Sequence, residues 1–172
     1  MGLTCGNTMR FYDVVADPGL VGSGICKEIG LDRVFFIPAK VHHGAPEAPA
    51  YLSDGRNAAA LLKSGAKCAV ADVLEIPSEL PQYMKAEKIP ILVPLHGILS
   101  SASFERVRLI KKTSRFYNDM RKSGVACIFV SMAPSADYLL SRMQLSSLSL
   151  VLGGGREKAA ESNSMLPSVL GD

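Results

Sequence analysis

Seven Lys and Arg residues, Arg106, Arg108, Lys111, Lys112, Arg115, Arg121 and Lys122, crowd into the stretch from Ser103 to Gly124, where only Glu105 and Asp119 oppose them. Seven cations against two acids give this stretch a net charge of +5, above the +3 of the whole chain, so the remaining residues sum to −2. The chemistry open to such a set is electrostatic. Ammonium and guanidinium groups bind phosphate or carboxylate oxygens without making or breaking bonds, and arginine can contact two oxygens at once. At roughly 100° per helical residue, Arg108, Lys111, Lys112, Arg115 and Lys122 share an arc of about 100°. Leu109, Ile110, Thr113, Phe116, Tyr117 and Met120 fall on the opposite side, so one face can bury while the other meets solvent. Charged helix faces are commonly just wet surface. This one is unusually one-sided, with only Glu105 and Asp119 placed to neutralise it at i,i+3 or i,i+4, and it points to a polyanionic partner. Arg106 and Arg121 lie within or beside the apolar arc, where they could equally hold neighbouring loops or sheet-end carbonyls. Arg142, in the turn after Ser141, is a further candidate cation.

Other constellations that do chemistry are incomplete. Gly22-Ser23-Gly24 follows the first strand, where a dinucleotide fingerprint would sit. The third glycine position holds Lys27, and the acid that should follow is met only by Glu47 in a proline-rich stretch. Gly153-Gly154-Gly155 follows a helix and reads as its stop. His96 ends a strand, and Asp13, Asp17 and Asp72 could reach the same rim, which makes a metal-dependent hydrolase on a small α/β barrel the alternative reading. The first strand, Phe11 to Asp17, lacks the His-x-His pair of such enzymes, and adjacent His42 and His43 cannot both face one ion from a regular strand. No GxSxG nucleophile elbow occurs. The expectation is no catalytic residue, no metal ligand and no cofactor on this chain.

The elements that must position the cations follow from apolar periodicity. Phe11 to Ala16, Val34 to Ile37, Cys68 to Val73, Ile91 to Leu95 and Ala126 to Ser131 read as short buried strands, with Pro94 unable to donate within the fourth. Gly19 to Ile29, Asp54 to Lys63, Ser78 to Glu87 and the basic stretch read as helices between them. Gly30 and Gly124 are placed as C-caps, Asp54 and Ser103 as N-caps. Beyond Ser131 the pattern is of short helices: Ser135 to Leu140, Gln144 to Leu152, Arg156 to Glu161 and Ser164 to Leu170. Pro38 to Ser53 reads as an exposed loop. Strands alternating with helices build a parallel sheet with right-handed crossovers. A complete eight-stranded barrel usually needs about 200 residues or more, so at 172 residues the expectation is a small or incomplete one. The expected fold is therefore a single α/β domain spanning 1–172, a small or incomplete TIM-like barrel closed off by short C-terminal helices.

Composition is globular, with 48% hydrophobic and 20% charged residues. Six Phe, five Tyr and no Trp argue against a single-strand binder built on base stacking. Cys5, Cys26, Cys68 and Cys127 form no CxxC pair, the first residues carry no long apolar stretch, and no run approaches the ~18 apolar residues of a membrane span. Buried thiols, a reducing interior and a soluble cytoplasmic protein are the expectation.

One run carries a family resemblance. It begins at Arg106-Val107-Arg108-Leu109-Ile110, continues ungapped to Arg121-Lys122-Ser123-Gly124-Val125 and enters a strand ending at Ser131. Ala133, Leu140-Ser141-Arg142-Met143-Gln144-Leu145, Leu148 and Leu152-Gly153 follow, then Glu157-Lys158-Ala159 and Met165-Leu166-Pro167. In this spacing residues 88 to 170 resemble ribonuclease P protein component 3, the barrel-type subunit of archaeal and eukaryotic ribonuclease P. Residues 1 to 87 match in outline through Phe11-Tyr12-Asp13 and the βα alternation. Where the family often reads Leu-Arg-Ser-Pro, this chain has Leu139-Leu140-Ser141-Arg142.

The resemblance implies a noncatalytic subunit. An RNA, with Mg²⁺ bound to that RNA, removes the 5′ leader of precursor tRNA, and the protein stabilises the folded RNA. It also implies a small ferredoxin-like protein partner in a heterotetramer. Arg108, Lys112 and Arg115 would act as phosphate clamps, with recognition following RNA shape and backbone. A third possibility is a module whose basic helix docks on an acidic protein.

Overall fold

A computed structural model describes residues 12–22, 24–37, 50–52, 65–71, 74–155 and 163–170. Among these residues six strands are parallel to their neighbours: β1 (Tyr12–Val15), β2 (Arg33–Phe36), β3 (Ala50–Tyr51), β4 (Ala69–Val70), β5 (Ile91–Pro94) and β6 (Cys127–Val130). Among the described residues six α-helices accompany them: α1 (Ile25–Glu28), α2 (Leu80–Ala86), α3 (His96–Ser100), α4 (Ser103–Ser123), α5 (Arg142–Val151) and α6 (Leu166–Leu170). The strands form a two-stranded sheet, β1-β2, and a four-stranded sheet, β3-β4-β5-β6. One parallel bridge, Val15 to Ala133, brings β1 to the end of β6. The resulting order is β2-β1-β6-β5-β4-β3, and among the described residues no barrel closes, so the expected barrel is reduced here to parallel strands in two small sheets.

The strands are apolar on both faces because both faces are covered. On one side Val15, Val34, Ala69, Ile91, Val93 and Phe129 pack with Leu80 and Met84 of α2, Phe116, Tyr117 and Met120 of α4, and Leu145 of α5. On the other, Tyr12, Val14, Phe35, Val70, Leu92 and Ile128 meet Leu166 and Val169 of α6 in a second cluster. Alternation along each strand divides its residues between the two cores.

Four local expectations change. Gly22, at φ 79°, interrupts the helix expected from Gly19 to Ile29, leaving a 3-10 turn at Pro18–Leu20 and the four-residue α1. Ala102, not Ser103, precedes α4 as its N-cap, and Ser103 enters the helix with φ 47°. Part of the loop expected from Pro38 to Ser53 is strand: β3 pairs with β4, and Ala50 and Leu52 are buried. The helix expected to begin at Gln144 begins instead at Arg142, because Ser141 caps α5 in a capping box closed by Gln144. Pro94 is accommodated at the last position of β5, where the next amide, Leu95 N–H, donates to Val130 O at 2.8 Å. Gly30 and Gly124 do end helices at positive φ, and Gly153, at φ 97°, follows α5. The helices expected at 54–63 and 156–161 lie outside the described residues.

The join between the sheets is made partly by side chains. Met132 turns into the left-handed region at φ 49°, and its N–H donates to Val14 O at 2.8 Å. The preceding amide, Ser131 N–H, donates to Asp13 Oδ1 at 2.7 Å, so a carboxylate takes the place of a strand carbonyl. Val14 N–H reaches the same oxygen at 2.8 Å. Asp13 is fully buried, and its Oδ2 has no hydrogen-bond partner among the described residues. Burial pushes its carboxyl up from 3.8 to about 7, against the opposing pull of the Ser131 and Val14 hydrogen bonds. At the start of β1, Asn163 donates to Tyr12 O at 2.5 Å and accepts from Tyr12 N–H at 2.6 Å, acting as a one-residue strand neighbour.

Two consequences are measurable. The folded state binds the Asp13 proton more tightly than the unfolded state, so this group's contribution to stability is full below about pH 4 and is lost as pH rises towards about 7. Unfolding free energies of wild type from urea titrations across that window should therefore carry a falling component of up to about 1.4 kcal/mol per pH unit. Asp13→Asn, which keeps an acceptor for Ser131 N–H, should remove it. Asn163→Ala strands both Tyr12 backbone groups and should cost about 2–4 kcal/mol in equilibrium unfolding. Asn163→Asp, which keeps only the acceptor, should also destabilise.

Candidate nucleic-acid interface

The basic helix α4 runs 21 residues, about 31 Å at 1.5 Å per residue. It is anchored by its inner face, where Thr113, Phe116, Tyr117 and Met120 are buried. Its end is fixed by Gly124 at φ 81°, with Val125 N–H returning to Met120 O at 3.0 Å, the hydrogen-bond pattern of a Schellman stop. This anchoring fixes which way the other face points. Arg108, Lys111, Lys112, Arg115 and Lys122 are all turned towards solvent, as the helical spacing requires.

The acids near the stripe are arranged differently from the sequence expectation. Glu105 does pair with Arg108 at i,i+3, Nη2 to Oε1 being 2.8 Å. Asp119, expected to neutralise as well, forms no ion pair among the described residues. A third acid enters from outside the helix: Glu75 lies 2.9 Å from Lys112 Nζ, and the hydrogen bond and charge of that lysine hold its carboxyl below the ordinary value. Sequence spacing within α4 could not have revealed a partner on the segment before α2. Both pairs are exposed and therefore weak, readily exchanged for phosphate contacts. Lys111, Arg115 and Lys122 form no ion pair among the described residues. A groove of about 560 Å³ lies between α4 and the 74–81 segment, lined by Glu75, Lys112, Arg115, Phe116, Asp119 and Ser123.

The remaining cations sit elsewhere. Arg106 turns back on the α3–α4 connection, its Nε donating to Ser101 O at 2.7 Å and its Nη2 to Leu99 O at 3.3 Å. Of the two roles open to Arg106, this is the loop-holding one. Arg121 is exposed off the stripe, and its charge partly offsets the upward push that burial gives the Tyr117 hydroxyl. Arg142 opens α5 with its backbone N–H on Ile29 O at 3.2 Å, beside the end of α1 and not on α4.

Among the described residues, those considered for a metal do not converge. Asp13 is enclosed at the sheet join, and Asp17 caps the 3-10 turn through Gly19 N–H at 2.9 Å. His96 starts α3 with its ring edge-on to Tyr138 at 4.9 Å, and its Nδ1 has no hydrogen-bond partner among the described residues. Among the described residues no three His, Cys, Asp or Glu side chains come together as a ligand set. His42, His43 and Asp72 lie outside them. Cys68 and Cys127 are buried free thiols whose pKa values burial pushes up to about 12, which makes them poor nucleophiles. Cys5 and the Cys26 side chain are outside the described set. No described helix is long and apolar enough to cross a membrane.

No protein-family model matches this chain, and no curated protein matches it. The basic face presents fixed, outward cations on a buried scaffold, suited to oxygen anions presented in series. Charge reversal should separate the stripe from bystanders. Arg108→Glu and Arg115→Glu should weaken binding to RNA and flatten the dependence of log K on log salt, by roughly one unit of slope or less for each phosphate no longer neutralised. Lys27→Glu on α1, exposed but remote in sequence and element, should leave both nearly unchanged. Equal effects at all three positions would reduce the stripe to general charge attraction.

Proposed function

We propose that this chain is a noncatalytic protein subunit of ribonuclease P, which helps a catalytic RNA remove the 5′ leader of precursor tRNA by stabilising the folded RNA along α4. The observation that carries the reading is the one-sided cationic face of α4, with Lys111, Arg115 and Lys122 exposed and not ion-paired among the described residues, in the run whose spacing resembles ribonuclease P protein component 3. Folded RNA brings phosphates close together, and Lys and Arg contacts gain affinity by releasing its condensed counterions. Arg108 and Lys112 would exchange Glu105 and Glu75 for phosphate oxygens, while Arg115 needs no such exchange. Arg106 holds the α3–α4 connection through the Ser101 and Leu99 carbonyls.

In this reading the chain supplies no catalytic group and no cofactor. Mg²⁺ belongs to the RNA, and a small ferredoxin-like protein completes the heterotetramer in the cytoplasm. The finer fold assignment, a small or incomplete TIM-like barrel, is supported by the all-parallel order and by one apolar cluster that draws side chains from β1, β2, β4, β5 and β6.

Reconstitution tests the function. Adding this chain with its protein partner to the catalytic RNA should lower the Mg²⁺ concentration needed for cleavage of precursor tRNA, and Arg115→Glu should lose much of that effect. Identical cleavage with and without the chain would remove the proposal.

A further inference from the structure

Phe104, the second residue of α4, is 80% exposed. A lone exposed apolar side chain is common, and what sets this one apart is the cations around it. At 100° per residue it falls inside the arc of Arg108, Lys111, Lys112, Arg115 and Lys122, about 6 Å along the axis from Arg108 and about 16 Å from Arg115. Its backbone is well held. Arg106 N–H donates to Ala102 O at 3.3 Å, and the Arg106 guanidinium pins the Ser101 and Leu99 carbonyls just before the helix. The ring therefore stands on a fixed first turn at one end of a row of cations.

We propose that Phe104 is a stacking platform for one unpaired nucleotide of the RNA whose phosphates lie along α4. This rests on the reading of α4 as an RNA-binding face and extends it to a defined RNA feature: a duplex flanked by a single-stranded base. The neighbouring exposed apolar residue is Val107, half open, one turn further on. An amphipathic partner helix needs anchors at i, i+3, i+4 and i+7, but the last two positions here are Arg108 and Lys111. One flat ring beside cations matches a single base with its attached phosphates. Stacking on one aromatic is also compatible with a chain of only 6% aromatic content, because a base offers its face whatever its identity.

The test uses the full chain and two RNA hairpins with the same stem, one blunt and one carrying a short single-stranded extension with 2-aminopurine as its first base. Wild type should bind the extended hairpin more tightly and quench the 2-aminopurine. Phe104→Ala should weaken that binding about 10-fold and abolish the quench, with the blunt hairpin changed by less than about 2-fold and the salt slope unaltered, since stacking releases no counterions. Phe104→Tyr should restore both readouts. If Phe104→Ala binds and quenches like wild type while Arg115→Glu weakens both hairpins, the stacking proposal is overturned and the RNA-binding face stands. If wild type binds neither hairpin, both fall. If Phe104→Ala leaves both hairpins untouched but loses a co-purifying small protein, the ring belongs to a protein contact, and the proposal is overturned.

Discussion

Where β1 meets β6, the left-handed backbone at Met132 is accompanied by a break in the ladder, and a buried carboxylate accepts the Ser131 amide. Without that acceptor a backbone N–H would be buried unpaired between two sheets, at a cost comparable to the whole gain from several good contacts. The carboxyl itself is tolerable there because burial raises its pKa to about 7, so that a large share of molecules near neutrality hold it uncharged. Both apolar cores cross this join. One links β1 and β2 to the four-stranded sheet under α2 and α4, and the other links them over α6. The basic helix rests directly on these strands through Phe116, Tyr117 and Met120, so the join that Asp13 helps to hold lies in the surface beneath it.

On α4, packing and not surface pairing does the stabilising. Phe116, Tyr117 and Met120 are buried against the sheets, whereas the two ion pairs on the outer face are exposed. A helix held from within can carry a concentration of like charge on its outside, because that repulsion is screened by solvent and salt while the burial is not. Glu105 and Glu75 moderate the field without cancelling it.

Much of this was legible in the chain. Five of the six strands announced themselves as short apolar runs, since parallel strands covered on both sides lose the polar alternation that would otherwise mark a face. The sixth, Ala50–Tyr51, is too short to show a period and sits behind prolines. The cationic arc of α4 was fixed by helical geometry alone. What lay beyond reach was tertiary: Glu75 reaching Lys112, Arg106 turning back to Ser101 and Leu99, and Asp13 standing in for a carbonyl. Gly22 shows a different limit. Its apolar neighbours continue a helical pattern that its left-handed backbone breaks, and nothing in the pattern says which glycines will take that conformation.

The Asn163 contact with Tyr12 spans 151 residues, and the Asp13 contact with Ser131 spans 118. The first described strand is thus completed by residues synthesised more than 100 positions after it. On a ribosome, β1 can pair with β2 early, but its other edge and its first backbone groups wait for β6 and then for the segment before α6. Contacts this distant along the chain carry a loop-closure cost before any reward, and such topologies fold slowly. Tyr12, Val14 and Phe35 belong to the core that α6 covers, so until residues 163–170 arrive the nascent chain presents an open apolar face to whatever chaperone meets it.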